Sequence, residues 1–252
     1  KMEARKIIIT GGATRIGAAI AEKLSGLNKE IVIHFNKSEL KAKLLRNNLQ
    51  KNGTKVYLIK GDLSKEKDIL NIIKFSKTKM KYFDCLINNA SIFENDKLEN
   101  FNSKSWEKHI SINLEAPAIL SKEFSKNIKG KNNNIINIID QRVFKLTPYF
   151  FSYTISKTGL FTLTKTSAMS LSPNIRVNGI APGPTIKNKR QSIKHFKKQY
   201  LSTMLKKQVD VKEICNAVDF FIKNKSVTGQ ILAIDSGQSL NWQTPDIVSI
   251  KE

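Results

Sequence analysis

Thr10-Gly11-Gly12-Ala13-Thr14-Arg15-Ile16-Gly17 is the stretch on which the fold turns. It closes the apolar, β-branched run Lys6–Thr10 and opens a helix-forming segment that begins near Arg15. Glycines in a strand-to-helix turn let the backbone approach a phosphate group. The N-terminus of the helix that follows offers N–H donors and positive potential. A plain tight turn needs neither three glycines nor an arginine at the helix start. In this strand–turn–helix context the motif points to a dinucleotide.

Working outward, short β-branched runs alternate with helical stretches along the chain. Strand-like runs are Lys6–Thr10, Glu30–Phe35, Lys55–Lys60, Phe83–Asn88, Asn134–Ile139, Asn174–Ile180 and Gln230–Ile234. Helix-forming segments lie near Arg15–Leu27, Glu39–Lys51, Lys65–Lys79, Ser103–Ile128, Tyr153–Leu171 and Val211–Phe221. Regular β-α-β alternation predicts a Rossmann-type, doubly wound α/β fold: a seven-stranded parallel sheet with helices on both faces and right-handed crossovers. Ligands of such sheets bind at the carboxyl ends of the strands, near the topological switch point. No linker, internal repeat or low-complexity tract divides residues 1–252, so a single domain is expected.

A hydrophobic fraction of 40% is enough for a core and argues against disorder. No segment approaches the roughly 18 consecutive apolar residues of a spanning helix. The start, Lys1-Met2-Glu3-Ala4-Arg5, shows no secretory leader. Cys85 and Cys215 are far apart, with no metal-ligand spacing around them. They read as reduced thiols of a cytoplasmic protein, and no metal is expected. The net charge of +22 could mark an acidic partner such as nucleic acid, an anionic lipid surface or an acidic carrier protein. Biased composition, rich in Lys, Asn and Ile, is the preferred explanation. The lysines are dispersed, and no aromatic residues alternate with them as a nucleic-acid platform needs. Neither nucleic acid nor membrane is the expected partner.

The end of the second strand bears on the cofactor. Folds that bind NAD commonly place a carboxylate there for the ribose hydroxyl. Here the chain reads His34-Phe35-Asn36-Lys37-Ser38, with no acid before Glu39. Lys37 and Ser38 can hold a 2′-phosphate that a carboxylate would repel, so NADP(H) is expected. His34 is expected to pack or cap rather than to exchange protons. Asp62-Leu63, after the third strand, can meet the adenine ring. Asn88-Asn89-Ala90-Ser91 forms a polar turn after the fourth.

Tyr153 and Lys157, in Tyr153-Thr154-Ile155-Ser156-Lys157, are four apart and share one helix face. An ammonium beside a phenol favours phenolate and lowers its pKa. A phenol so tuned can hand a proton to an atom receiving a hydride. Asp140 lies thirteen residues upstream of Tyr153.

Together these residues resemble the short-chain dehydrogenase/reductase family from Thr10 to about Leu240. The pieces are the glycine turn, Asp62, Asn88-Asn89-Ala90, Asn113, Tyr153 with Lys157, Pro182-Gly183, and Thr228-Gly229-Gln230 with Asp235-Ser236-Gly237-Gln238. The resemblance implies that Tyr153 is the proton donor. It implies that Lys157 holds the nicotinamide ribose and tunes Tyr153, while Asn113 supports a proton-relay water. It further implies that Gly11, Arg15, Ile16 and Gly17 face the cofactor phosphates. Asn36, Lys37 and Ser38 would take the adenosine phosphate. Asp62, Leu63, Asn89, Ala90, Ser91, Pro182, Gly183 and Thr185 would line the rest of the cofactor site.

Two departures narrow the resemblance. Arg15 stands where the family has its middle glycine, and Asp140 where it has a serine. Both are similar to the pteridine reductase branch with its dihydromonapterin and dihydrofolate reductase relatives, as are Ser91 and Phe93. That likeness implies a flat pterin-like substrate held by Arg15, Ser91, Phe93, Asp140 and Tyr153, with Phe93 as a stacking face. The chemistry agrees. A serine hydroxyl donates to a carbonyl oxygen becoming negative, whereas an ionised carboxylate cannot donate and repels it. A pterin offers ring C=N bonds and N–H donors; there a carboxylate can accept hydrogen bonds or, with its pKa raised by burial, deliver a proton to a ring nitrogen. Between Asp140 and Tyr153, the bulky residues Arg142, Phe144 and Lys145 are expected to shape the pocket or pack at its rim.

Residues about 184–208 fall where the family places a mobile substrate lid. Lys187, Lys189, Arg190, Lys194, Lys197 and Lys198 would make that lid cationic and favour substrates with acidic tails. The alternatives are a carbonyl reductase such as a 3-oxoacyl-carrier-protein reductase, docking an acidic carrier on the basic surface, and a non-catalytic nucleotide sensor. Asp140 opposes the first and the intact Tyr153, Lys157 and Asn113 oppose the second. The resemblance also implies a homotetramer that pairs the Ser103–Ile128 and Tyr153–Leu171 helices across subunits.

Overall fold

Successive side chains of a strand point to opposite faces of its sheet. In the computed structural model, which describes residues 5–188 and 190–242, the first strand β1 (Lys6–Ile9) sends Ile7 and Ile9 into one core and Ile8 into the other. The strand β2 (Glu30–Phe35) divides Ile31 and Ile33 from Val32 in the same way. Strands buried on both faces read as continuous apolar runs, which is why the sequence announces them so clearly.

The remaining strands are β3 (Lys55–Lys60), β4 (Cys85–Asn88), β5 (Asn133–Ile138), β6 (Ile175–Pro182) and β7 (Ile231–Ile234). They form one parallel sheet in the order β3-β2-β1-β4-β5-β6-β7. The strand order reverses between β1 and β4, and a crevice opens there at the strands' carboxyl ends. One core packs the helices α1 (Arg15–Leu24), α2 (Glu39–Gln50) and α8 (Val211–Lys223) on the sheet. The other packs α3 (Glu66–Met80), α5 (Ala116–Ser125) and the end of α6 (Phe151–Ser170).

β2 and β3 fall on their expected bounds, while the others shift by a few residues at their ends. The expected single helix Ser103–Ile128 differs more. It is α4 (Ser103–Ile110), a π-helical turn Ser111–Glu115 and α5, which ends at Ser125. A π turn widens the helix by one residue and re-aims the side chains on it. Here that turn carries Asn113, which is fully buried. The stretch expected to form a lid holds the helix α7 (Ile193–Leu201), capped by the Ser192 hydroxyl. Lys189 and the first four residues lie outside the described residues. No helix of the described residues is long and apolar enough to cross a membrane.

Candidate active site

The glycine turn is stapled from two sides. The Thr10 hydroxyl accepts the backbone N–H groups of Asn89 (3.0 Å) and Ala90 (3.1 Å). The Asn89 amide returns two bonds, to the Thr10 and Gly11 carbonyls. Buried His34 finishes the brace: its Nδ1 accepts from Gly11 N–H at 3.2 Å, so Nε2 carries the proton and donates to the Gly61 carbonyl. Burial lowers the His34 pKa and keeps the ring in this neutral form. The histidine is structural, as the sequence suggested. A Cβ on Gly17 would meet Asn89 Nδ2 and the Gly11 carbonyl at 2.5 Å each, so only glycine fits there.

Beyond the turn a cavity of about 740 Å³ runs along the strand ends. Gly11, Arg15, Ile16, Asn36, Leu63, Asn89, Ala90, Ser91, Phe93, Asp140, Tyr153, Lys157, Pro182, Gly183 and Thr185 all line it. A side cavity of about 380 Å³ gathers Asn36, Lys37, Ser38 and Asp62. Lys108 from α4 joins them, a cation that sequence reading missed because its helix is remote in the chain. Gly17 supports the turn from behind instead of lining the cavity.

At the other end, α6 presents Tyr153 and Lys157 on one face. The Tyr153 hydroxyl donates to Asp140 Oδ2 at 2.7 Å, and Asp140 Oδ1 caps the next turn by accepting Arg142 N–H at 2.8 Å. The phenol pKa is therefore raised well above its ordinary value, chiefly by burial and then by the charge and hydrogen bond of Asp140. The nearby Arg142 charge and the Ser91 hydroxyl pull weakly the other way. This corrects the expectation that Lys157 lowers it. The Lys157 ammonium donates to the Ile138 carbonyl at 2.8 Å and sits 5.8 Å from the Tyr153 ring centre. Burial depresses the Lys157 pKa to about 8, against the pull of Asp140.

Asn113 stands behind this cavity. Its amide donates to Ser156 Oγ and the Ile92 carbonyl, and accepts from Ile92 N–H and Ser91 Oγ. With both ends of its amide engaged, it ties the Ser91–Ile92 loop to α6.

Phe93 lines the cavity while its ring stacks on Phe150, with centres 4.3 Å apart and planes within 8°, and meets Tyr153 edge-on. Phe150 itself is not part of the cavity wall and backs Phe93. Arg15 differs from expectation in its partners: its guanidinium holds the Ile186 and Lys187 carbonyls of the lid stretch. Its backbone has φ +57°, a left-handed conformation that favours glycine, at the place where the family carries one. Of the three bulky residues before Tyr153, Arg142 lines the cavity, whereas Phe144 packs edge-on against Phe161 and Lys145 stays outside the wall.

A glycine-turn crevice at the switch point of a doubly wound sheet, beside a buried Tyr-x-x-x-Lys pair, defines a nucleotide-binding α/β oxidoreductase fold. The chain belongs to the short chain dehydrogenase family, whose model matches residues 5–198. It is 31% identical to a 3-oxoacyl-[acyl-carrier-protein] reductase FabG of Buchnera aphidicola, over 92% of this chain and 97% of the relative. It is 26% identical to a dihydromonapterin reductase of an Enterobacter species, over 94% and 98%. A solved structure of FolM alternative dihydrofolate reductase 1 from Brucella canis, complexed with NADP, is similar at 39% identity. That likeness has a TM-score of 0.92 and covers 96% of each chain.

Proposed function

We propose that the protein is an NADPH-dependent reductase of a ring C=N bond in a pterin or dihydrofolate-type substrate. The observation that carries the reading is the bond from the Tyr153 hydroxyl to Asp140 Oδ2. The catalytic phenol has a carboxylate at its side where carbonyl chemistry calls for a hydroxyl donor. The relatives named for dihydromonapterin and dihydrofolate reduction support the same substrate class.

The residues present fit the cofactor. Left-handed Gly11 lines the cavity, and Gly17 leaves no room for a side chain behind the turn, so the bare backbone of the turn can face a pyrophosphate. Lys37, Ser38 and Lys108 supply the donors that a 2′-phosphate needs. When bound, NADPH supplies the hydride. Lys157 holds the ribose hydroxyls from its seat on the Ile138 carbonyl. Tyr153, kept protonated by burial and by Asp140, delivers a proton to the ring nitrogen as the adjacent carbon is reduced. Asp140 accepts from the N–H and amino edge of the substrate and orients it, and Phe93 offers its open face to the ring. Asn113 is a positioning residue, holding the Ser91 loop against α6. The stretch 184–208 acts as the lid within one catalytic domain. The same family reading makes the protein a cytoplasmic homotetramer.

The test is NADPH oxidation by the purified protein with dihydrobiopterin, dihydromonapterin, dihydrofolate and an acetoacetyl thioester. Turnover of a pterin or dihydrofolate is expected. Turnover of the thioester alone moves the assignment to carbonyl reduction. Tyr153→Phe should cost on the order of 10²-fold or more in kcat with NADPH affinity nearly unchanged.

A further inference from the structure

Asp140 is the one carboxylate among the described residues that line the main cavity, against Arg15, Arg142, Lys157 and Arg190. Its Oδ2 accepts from Tyr153 and its Oδ1 from the Arg142 backbone N–H, and no hydrogen bond joins it to the Arg142 guanidinium. Among the described residues no carboxylate lies within ion-pair distance of Arg142 or Arg190. The partners these two do have are neutral. Arg142 lies 5.5 Å from the ring centre of Phe93 and 4.6 Å from that of Phe150. Arg190 donates to the Phe93 backbone carbonyl. Both guanidinium groups are thus gathered at the platform on which a flat ring would lie.

We infer that Arg142 and Arg190 form an anion clamp that binds a carboxylate on the tail of a flat heteroaromatic substrate, selecting it over the same ring with a neutral tail. The inference rests on the proposed reductase reading and adds the substrate's charge to it. Two planar guanidinium forks suit a carboxylate, which each can meet with paired N–H donors. The aromatic stack holds the Arg142 plane in place before the ligand arrives, so less side-chain freedom is lost on binding.

The clamp also replaces a broader idea. Of the cations expected to charge the lid, Lys194, Lys197 and Lys198 point to solvent and do not line the cavity. Lys187 turns its ammonium to the Asn188 and Gln191 carbonyls, and Lys189 lies outside the described residues. Charge selection by the lid falls to Arg190, assisted from across the platform by Arg142.

Calorimetric titration of the NADP⁺-saturated protein with folate and with biopterin tests this, because the two ligands share the ring and differ in tail charge. Folate is expected to bind more tightly. The ratio of the two affinities should fall about tenfold in Arg142→Gln and in Arg190→Gln, and less in Arg142→Lys. NADPH binding by each variant, followed by fluorescence, reports that it is folded. Should Arg142→Gln fail that check, Arg190→Gln on the exposed lid carries the test. Equal wild-type affinities, or variants that weaken both ligands alike, overturn the inference. Turnover keeps the two readings apart. Reduction of dihydropterins without tail selectivity leaves the reductase reading and removes the clamp. Tail selectivity with no turnover keeps the clamp and removes the reductase reading.

Discussion

Tyr153 and Lys157 are neighbours by spacing, yet their charges are set by groups that the spacing does not reveal. Burial and Asp140 keep the phenol protonated, while burial alone brings the Lys157 ammonium into the working range. Between about pH 8 and the unperturbed 10.5 the folded chain holds fewer protons on Lys157 than the unfolded chain does. This contribution to stability therefore rises with pH across that window and is lowest below about 8. The consequence for cofactor binding has the opposite sign under the proposed role of Lys157, in which the charged ammonium holds the ribose. NADPH affinity should weaken as pH rises through about 8, by at most about tenfold per unit. Fluorescence titration from pH 7 to 9.5 measures this, and Lys157→Met should flatten the profile. A wild-type profile that is already flat would contradict the assignment. Tyr153 does not compete for the limb, since its pKa moves upward and out of the window.

The turn between β1 and α1 shows how far a short motif specifies its own geometry. Gly11 adopts φ +59°, a Cβ on it would meet the Ala90 Cα at 3.0 Å, and Gly17 has no room for a side chain. Gly17→Ala should cost roughly 1–3 kcal/mol, the usual range for overpacking. It should also weaken NADPH binding, since the clash falls on Asn89 and the Gly11 carbonyl, which hold the turn. Thermal melting and a cofactor titration on the same sample check both effects. A fully stable variant with unchanged affinity would show that the turn relaxes without consequence. Gly159 makes a contrast within α6. A Cβ there meets the Leu114 side chain at 2.6 Å, and that side chain can move. The π turn around Asn113 was illegible beforehand, because Ser103–Ile128 is helix-forming throughout. What opens the helix is the fit of its Asn113 amide to the Ser91–Ile92 loop and Ser156, contacts 21 to 43 residues away.

At the scale of the whole molecule, the two apolar layers and the reversal between β1 and β4 bring both ends of the site together. The sheet delivers the glycine turn and α6 delivers the phenol, although more than 130 residues separate them in the chain. The proposed tetramer belongs to this scale. Light scattering at micromolar concentration should give about four times the 28.5 kDa chain mass, and a monomer would end that proposal. The excess charge remains spread over the surface, consistent with dispersed lysines, and the part of it that meets the main cavity is Lys157 with the arginines Arg15, Arg142 and Arg190.

Local pattern was enough to read the doubly wound sheet, the glycine turn and the Tyr153, Lys157 and Asp140 trio. Each of these is written in local pattern: apolar runs of strand length, glycines where a backbone must pass closely, and a helical spacing of four. It also pointed to Lys37 and Ser38, which follow a strand end and line the side cavity. The partners emerged only in the folded chain. Tyr153 donates to Asp140, Arg15 clasps the Ile186 and Lys187 carbonyls, and Lys108 and Arg142 join cavities that their neighbours in sequence do not announce. The physical reason is that a side chain's pKa and bonding follow the groups within a few ångströms of it, and those are chosen by the packing of distant elements.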